Sequence, residues 1–150
     1  MLRKAKVTDV NRIKELIGFF SREGEMLPRS LNELYESIRD FWVYEEKGKI
    51  LACGALHPSW EDLAEVKSLA VEREKQRRGI GREVLNACLN EAEGLGIKKI
   101  FALTYRPRFF QKEGFRIINK VDLPHKIWSE CIKCPHFPDC KEVPLLYEVK

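Results

Sequence analysis

The fold is decided by one stretch of sequence: Glu65-Val66-Lys67-Ser68-Leu69-Ala70-Val71, a charged loop, and then Gln76-Arg77-Arg78-Gly79-Ile80-Gly81. The first part is rich in apolar residues and predicts a strand, and apolar residues at helical spacing follow the glycines. The first N–H groups of a helix lack intrahelical partners, and glycines beside them leave those donors open to a ligand. The stretch therefore predicts a strand, a loop and a helix whose start can bind an anion.

Arginine side chains strengthen this predicted anion site. Arg77, Arg78 and Arg82 add full positive charges to the partial charge of the helix end, which together suit a pyrophosphate. The spacing is not the Gly-x-Gly-x-x-Gly of dinucleotide-binding folds, and it lacks the Gly-Lys-Ser/Thr of nucleoside triphosphatases. The alternative is that the glycines only turn the chain and the arginines are solvated. The strand before the loop and the helix after it favour anion binding.

The segments on either side of this stretch predict an α/β fold. Helices are predicted after a capping Thr8, from the Ser30–Glu33 capping box, from the Gly79–Gly81 run and from Pro107. Strands are predicted over residues 2–5, 41–45, 50–57, 63–71 and 98–104, with extended structure after 115, a last edge strand over 145–149 and a loop over 58–62. This order predicts a mixed sheet of about seven strands flanked by about four helices, in a single domain over residues 1–150.

The composition of the chain excludes several classes of protein. Its 150 residues are 44% hydrophobic, which is enough for a core and excludes general disorder. No run approaches the ~20 apolar residues that span a bilayer, and no apolar stretch follows the N-terminal charges, so we expect a cytoplasmic protein without membrane partners. The net charge is only +4, and residues 120–150 hold five basic and five acidic residues. No nucleic-acid partner is therefore predicted.

Three segments together resemble the GNAT superfamily of N-acetyltransferases. Residues 64–71 fit the fourth strand of that family, the Gln-x-x-Gly-x-Gly of residues 76–81 fits its acetyl-CoA signature, and residues 108–115 fit its aromatic-x-x-x-Gly-Phe segment. The resemblance covers about residues 2–119. It implies the GNAT fold, with acetyl-CoA as the co-substrate and small molecules as the partners.

The resemblance also implies how acetyl-CoA is held. The pantetheine arm would pair with the backbone of Leu69 and Val71 as an added strand does, and the Leu69 N–H would face the thioester oxygen as an oxyanion donor. Residues 76–82 would hold the pyrophosphate. The implied cofactor-binding set is Leu69, Ala70, Val71, Gln76, Arg77, Arg78, Gly79, Ile80, Gly81, Arg82 and Phe110.

Acyl transfer to an amine requires a base, because amines are mostly protonated at pH 7. Glu65 stands where several family members carry a general-base glutamate, and its alternative role is an ion pair with Lys67. His57, at the end of a predicted hairpin strand, is the competing base, and its alternative role is structural. The identity of the base stays open between these two residues.

The acid that reprotonates the leaving thiolate is also open. The family often has a tyrosine in the helix before Gly-Phe, where this chain has Phe109 and Phe110, and phenylalanine cannot donate a proton. Either Tyr105 substitutes, or the thiolate leaves without a positioned acid. A thiol pKa near 8.5 makes the unassisted route tolerable.

A narrower resemblance concerns the acceptor. Residues 27–30, 54–57, 103–105 and 123–128 are similar to the short, single-domain amino-acid N-acetyltransferases that acetylate glutamate in arginine biosynthesis. Glutamate has two carboxylates, and guanidinium groups pair with carboxylates in a bidentate manner. The predicted substrate-binding residues are Arg29, Lys67, Arg106 and Lys126. Alternatives are another small amine or a protein N-terminus as acceptor, or a non-catalytic acetyl-CoA sensor.

Three cysteines and a histidine cluster near the C-terminus, at Cys131, Cys134, His136 and Cys140. They could form a tetrahedral zinc site, but the spacing is not that of a standard zinc finger, so reduced packing cysteines or a disulfide are favoured and no metal is predicted. The short glutamate acetyltransferases often have a similar tail. Cys53 and Cys88 fit core positions, and the fold is compatible with a homodimer through the final strands.

Overall fold

The computed structural model describes residues 1–122 and 142–149. Over these residues the α-helices are α1 (Val10–Arg22), α2 (Leu31–Glu36), α3 (Ile80–Leu95) and α4 (Pro107–Lys112). The strands are β1 (Leu2–Lys4), β2 (Phe41–Glu46), β3 (Lys49–Trp60), β4 (Leu63–Val71), β5 (Lys99–Thr104), β6 (Arg116–Ile117) and β7 (Val143–Glu148). They form one mixed sheet in the order β1-β2-β3-β4-β5-β7-β6. The predicted α/β fold is confirmed.

The chain divides into two compact units, which are described separately. The first comprises residues 1–57 and 66–91, and the second comprises residues 58–65 and 92–150. In the part of the chain that the structure describes, no helix is long and apolar enough to span a bilayer.

Helix α1 supplies the core of the first unit. Its apolar residues recur at helical spacing, and each is at most 4% exposed: Val10, Ile13, Leu16, Ile17 and Phe20. They pack against β2 and β3 through Val43 and Cys53, and against Ala70 of β4. Fully burying one such side chain contributes about 1.5–3 kcal/mol, so this stripe holds α1 on the sheet.

The start of α1 differs from the prediction that Thr8 caps it. Residues 7–9 form a 3-10 turn, and the helix begins at Val10. The carboxylate of Asp9 accepts the Lys6 N–H at 2.7 Å and binds Arg3 at 2.8 Å. Asp9, rather than Thr8, therefore fixes the turn that leads into α1, because its carboxylate is bonded to both a backbone N–H group and a guanidinium.

Strands β2 and β3 form an antiparallel hairpin. Phe41 lies opposite Ala55 and Val43 opposite Cys53, and the turn between the strands places Lys47 and Gly48 at φ values of 52° and 78°. Two left-handed residues match the twist of a hairpin. The predicted loop over 58–62 is wrong at its start, because β3 continues to Trp60. A strand tolerates Pro58 where the N–H that proline lacks is not needed for strand pairing.

Helix α3 begins and ends at glycines with positive φ. Gly79 has φ 81°, and its carbonyl accepts the Glu83 N–H at 3.1 Å, so Gly79 opens the helix. Gly96 has φ 82°, and the Ile97 N–H donates to the Ala92 carbonyl at 3.0 Å. This closing pattern satisfies carbonyls that the last turn leaves without partners.

The second unit places β7 between β5 and β6. Strand β7 pairs with β5 from Lys99↔Glu148 to Thr104↔Val143, and its other edge pairs with β6 through Arg116↔Leu146. The prediction of a last edge strand is therefore wrong. Leu145 and Leu146 are 0% and 7% exposed, as expected for an interior strand, and the two exposed residues of β6 form the edge.

Candidate active site

Two hydrogen bonds hold the loop after β4 against β3 and β4. The Gln76 side chain donates from Nε2 to the Val71 carbonyl at 3.1 Å, and the Glu72 N–H donates to the Leu51 carbonyl at 2.8 Å. Residues 73–75 form a 3-10 turn between these contacts. Gln76, a predicted cofactor-binding residue, therefore holds the loop against the end of β4.

Two residues of this loop have a left-handed backbone conformation. Arg77 and Gly79 both have positive φ, at 69° and 81°, and α3 starts at the next residue. Left-handed residues that alternate with ordinary ones turn successive N–H groups towards one point, an arrangement that binds anions. Arg77 holds a conformation that costs about 1–3 kcal/mol for a residue with a Cβ, and such strain is concentrated at ligand sites. Phosphate binding by this segment stays a prediction.

Residues 76–82 carry three arginines, and Arg78 forms an ion pair with a carboxylate. Arg77, Arg78 and Arg82 are all exposed. Arg78 lies in a forked contact with Glu46, the last residue of β2, with Nη2 3.2 Å from Oε1. Arg78 therefore lies at the surface beside the carboxylate of Glu46, a residue that the sequence analysis did not single out.

Strand β4 is irregular at Ser68, whose φ of 57° is left-handed within the strand. On one face of the strand Ala70 packs with α1, whereas on the other Leu69 and Val71 pack with Ile80 and Val84 of α3. A left-handed residue interrupts the regular geometry of an extended strand. Ser68 lies next to Leu69, Ala70 and Val71, the residues predicted to pair with the pantetheine arm.

Gly54 of β3 allows this close packing. A Cβ on Gly54 would lie 2.8 Å from Cγ1 of Val84 and 2.9 Å from Cδ1 of Leu69. A Cβ atom essentially never lies this close to another carbon. A larger residue at position 54 would therefore force Val84 or Leu69 to shift where α3 and β4 meet β3.

Arg29 lies beside Ser68 with most of its side chain buried. Nη1 donates to Ser68 Oγ at 3.2 Å, Nη2 donates to Ser37 Oγ at 3.3 Å, and the guanidinium carbon is 5.6 Å from the centre of the Phe41 ring. The side chain is 13% exposed, and Nε is 3.5 Å from the carboxylate of Glu33, which is 58% exposed. Two hydroxyls and a ring face thus orient a guanidinium beside β4.

His57 forms a short hydrogen bond with Asp40. Nδ1 lies 2.7 Å from Oδ2 of the carboxylate, and both side chains are partly exposed. Asp40 ends the 3-10 turn that precedes β2, and the Phe41↔Ala55 register brings it alongside the end of β3. A carboxylate on Nδ1 favours the tautomer in which Nε2 is the accepting nitrogen, as in catalytic triads.

Among the residues that the structure describes, the second unit holds four of the predicted ones. Glu65 is a buried carboxylate on β4, 6% exposed. Tyr105 is half-buried and Arg106 is exposed after β5, where the Arg106 N–H donates to Thr104 Oγ1 at 2.9 Å. Phe110 is 6% exposed and packs edge-to-face on Phe109 and Phe115, with ring centres 5.3 Å and 5.2 Å away, so it contributes to local packing of α4.

Several residues of the site were missed by sequence reasoning. Asp40 could have been found, because the hairpin register follows from the predicted turn and places it near His57. No local sequence pattern singles out Ser68 or Glu46, because a left-handed serine and a long-range ion pair depend on tertiary packing. Lys126, Cys131, Cys134, His136 and Cys140 lie outside the described residues, and over the described ones no cluster of His, Cys, Asp and Glu could hold a metal ion.

Comparison with known proteins gives consistent matches. Residues 37–117 match the family model described as Acetyltransferase (GNAT) domain. An uncharacterized N-acetyltransferase of Chlorobaculum tepidum is 36% identical over 97% of this chain and 94% of its own length, and an amino-acid acetyltransferase of Mycobacterium tuberculosis is 33% identical over 87% and 76%. The structure of N-acetylglutamate synthase from Neisseria gonorrhoeae, complexed with coenzyme A and N-acetyl-glutamate, superposes with a TM-score of 0.91 at 26% identity. That match covers 100% of this chain and 35% of the synthase.

Proposed function

This chain is a GNAT-family, acetyl-CoA-dependent N-acetyltransferase, and on that premise we propose that its acceptor is the α-amino group of L-glutamate. The product would be N-acetylglutamate, made for arginine biosynthesis. Support comes from the amino-acid acetyltransferases among its relatives and from the likeness to a synthase crystallised with N-acetyl-glutamate. The observation that carries the proposal is the environment of Arg29.

Arg29 is suited to a carboxylate of the substrate. Its guanidinium is held by the hydroxyls of Ser37 and Ser68 and by the Phe41 ring, all of which are uncharged. The carboxylate that the structure places near it, on Glu33, is more than half exposed and 3.5 Å away. A mostly buried guanidinium whose carboxylate partner, Glu33, is more than half exposed can bind a further anion, and a carboxylate matches its planar fork. Lys67, Arg106 and Lys126 are the proposed partners for the second carboxylate.

Acetyl-CoA is proposed to lie along β4 and the loop that follows. The pyrophosphate would bind the N–H groups and arginines of residues 76–82, where Arg77 and Gly79 have positive φ. The pantetheine arm would pair with the backbone at Leu69 and Val71, next to the left-handed Ser68. The reacting thioester would then lie near Arg29, whose guanidinium contacts the hydroxyl of Ser68.

The proposed reaction is direct acyl transfer. A base, Glu65 or the Asp40-oriented His57, takes a proton from the ammonium group of glutamate. The neutral nitrogen attacks the thioester carbonyl, and the Leu69 N–H stabilises the oxyanion that forms. This attack forms the C–N bond, and collapse of the tetrahedral intermediate restores the carbonyl, breaks the C–S bond and releases coenzyme A as a thiolate. The nitrogen loses its second proton to water, and the thiolate takes a proton from Tyr105 or from water.

A competition among acceptors tests the proposal. Purified full-length chain is given acetyl-CoA with glutamate, glutamine, aspartate, a polyamine or a peptide with a free N-terminus, and coenzyme A release is followed as free thiol. We expect the highest kcat/KM with glutamate, and with Arg29→Lys a KM for glutamate raised about 10- to 100-fold, because the bidentate fork is lost. Preference for the polyamine or peptide would exclude glutamate as the acceptor. Binding of acetyl-CoA with no thiol release would indicate a sensor.

A further inference from the structure

Glu46 forms an ion pair with an arginine of the proposed phosphate site. Its two carboxylate oxygens face the two terminal nitrogens of Arg78, at 3.2 Å and 3.5 Å. This is the planar forked geometry in which a guanidinium also binds phosphate. Arg78 thus offers the cofactor a set of donors that Glu46 already contacts.

The charges around Glu46 keep its carboxylate ionised. The hydrogen bond from Arg78 is the main cause that lowers the pKa of Glu46, and the positive charges of Lys75 and Lys47 act in the same direction. The Arg78 and Glu46 side chains are 47% and 35% exposed, so an anion from solution can reach the pair. One carboxylate among three cations leaves a local positive excess that attracts a phosphate.

We propose that Glu46 sets the affinity for acetyl-CoA by competing with a phosphate of the cofactor for Arg78. The inference rests on the proposed placement of the phosphates at residues 76–82. The pyrophosphate as a whole, like the 3′-phosphate monoester, carries about two negative charges, so either group can replace the single charge of a carboxylate on the guanidinium fork. Breaking the pair subtracts from the binding free energy, so Glu46 weakens cofactor binding and eases its release.

The first test measures coenzyme A binding by calorimetry on the full chain, without any acceptor. Glu46→Gln removes the charge and keeps the shape, and we expect its Kd to fall about two- to five-fold, the range that corresponds to an exposed ion pair. Glu148→Gln is the matched control: it breaks the exposed Arg116–Glu148 pair, also at 3.2 Å, and we expect the wild-type Kd. An unchanged or higher Kd for Glu46→Gln would overturn the inference.

A double-mutant cycle assigns the effect to Arg78. In the Arg78→Gln background, Glu46→Gln should no longer lower the Kd for coenzyme A. If it lowers the Kd as much as it does in the wild type, Glu46 acts only through the nearby lysines, and the inference is overturned. Dephospho-coenzyme A identifies the phosphate involved: a gain with both ligands points to the pyrophosphate, and a gain with coenzyme A alone points to the 3′-phosphate. Because binding is measured without an acceptor, failure to acetylate glutamate would refute the proposed function and leave this inference standing.

Discussion

At the level of single residues, the two arginines assigned to ligands are held in contrasting ways. Arg29 is mostly buried and is held by hydroxyls and a ring face as well as by Glu33, whereas Arg78 is exposed and forms an ion pair with the carboxylate of Glu46. A fixed guanidinium selects the position and direction of its ligand. A mobile exposed one supplies charge but little geometry. Arg29 therefore suits selection of the acceptor, and Arg78 suits capture of a phosphate.

The two candidate bases can be separated by isosteric substitutions. We expect Glu65→Gln to lower kcat by about 10²- to 10⁴-fold, because the amine then loses its proton without a positioned acceptor. His57→Gln should lower kcat less. Thermal unfolding of both variants controls for folding, since Glu65 is only 6% exposed. A larger fall with His57→Gln, accompanied by a similar fall with Asp40→Asn, would make His57 the base.

Among the elements, β4 departs from regular strand geometry where the site lies. The left-handed Ser68 turns its hydroxyl to Arg29, while its carbonyl accepts a contact from Cys53 Sγ at 3.5 Å. A left-handed residue departs from the extended backbone of a strand and redirects its side chain. The sheet thus combines a packed core with one residue, Ser68, at which strand geometry is interrupted.

The close contact at Gly54 leads to a prediction for the packing of β3, β4 and α3. Gly54→Ala should lower the free energy of unfolding by about 1–3 kcal/mol, because the new methyl group overlaps Val84 and Leu69. Gly94→Ala on the exposed part of α3 has no atom within 4 Å and should raise it by about 0.5–1 kcal/mol. Denaturant titration measures both. Equal stability of Gly54→Ala and wild type would mean that the neighbours relax freely.

For the molecule as a whole, the N-terminal strand is tied to its unit by charge. Arg3 of β1 bonds Asp9, which precedes α1, and Glu45 of β2, with N–O distances of 2.8 Å to each. Asp9 is also bonded to the Lys6 N–H. Hydrogen bonds to charged groups contribute about 1.5–3 kcal/mol, so this network joins β1 and the turn before α1 to the distant strand β2.

Stability should depend on pH through Asp9. The hydrogen bond from Arg3 is the main cause that lowers the pKa of Asp9 below its ordinary 3.8. A carboxyl with a lowered folded pKa contributes stability above 3.8 and loses it as the pH falls through the folded value. Asp9→Asn should therefore be less stable than wild type at pH 7, and the difference should shrink below pH 3.8. A difference that stays constant with pH would show that Asp9 acts through shape alone.

The sequence predicts most elements because local patterns determine them. The α1 stripe, the Ser30 cap and the glycines around α3 act within a few residues, and all are present. The place of β7 was mispredicted because strand order depends on partners that are far apart in the chain. The conformation of Ser68 and the Arg78–Glu46 pair were beyond prediction for the same reason, since serine and glutamate have no local preference for these states.

The two buried cysteines have a practical consequence for enzyme assays. Cys53 and Cys88 are both 0% exposed, and burial raises the pKa of each thiol to about 12. Neutral, inaccessible thiols react slowly with disulfide reagents such as those used to follow coenzyme A release. These two positions therefore add little background while the chain is folded. Denaturation exposes both thiols to the same disulfide reagent, so the reagent that follows turnover also reports unfolding.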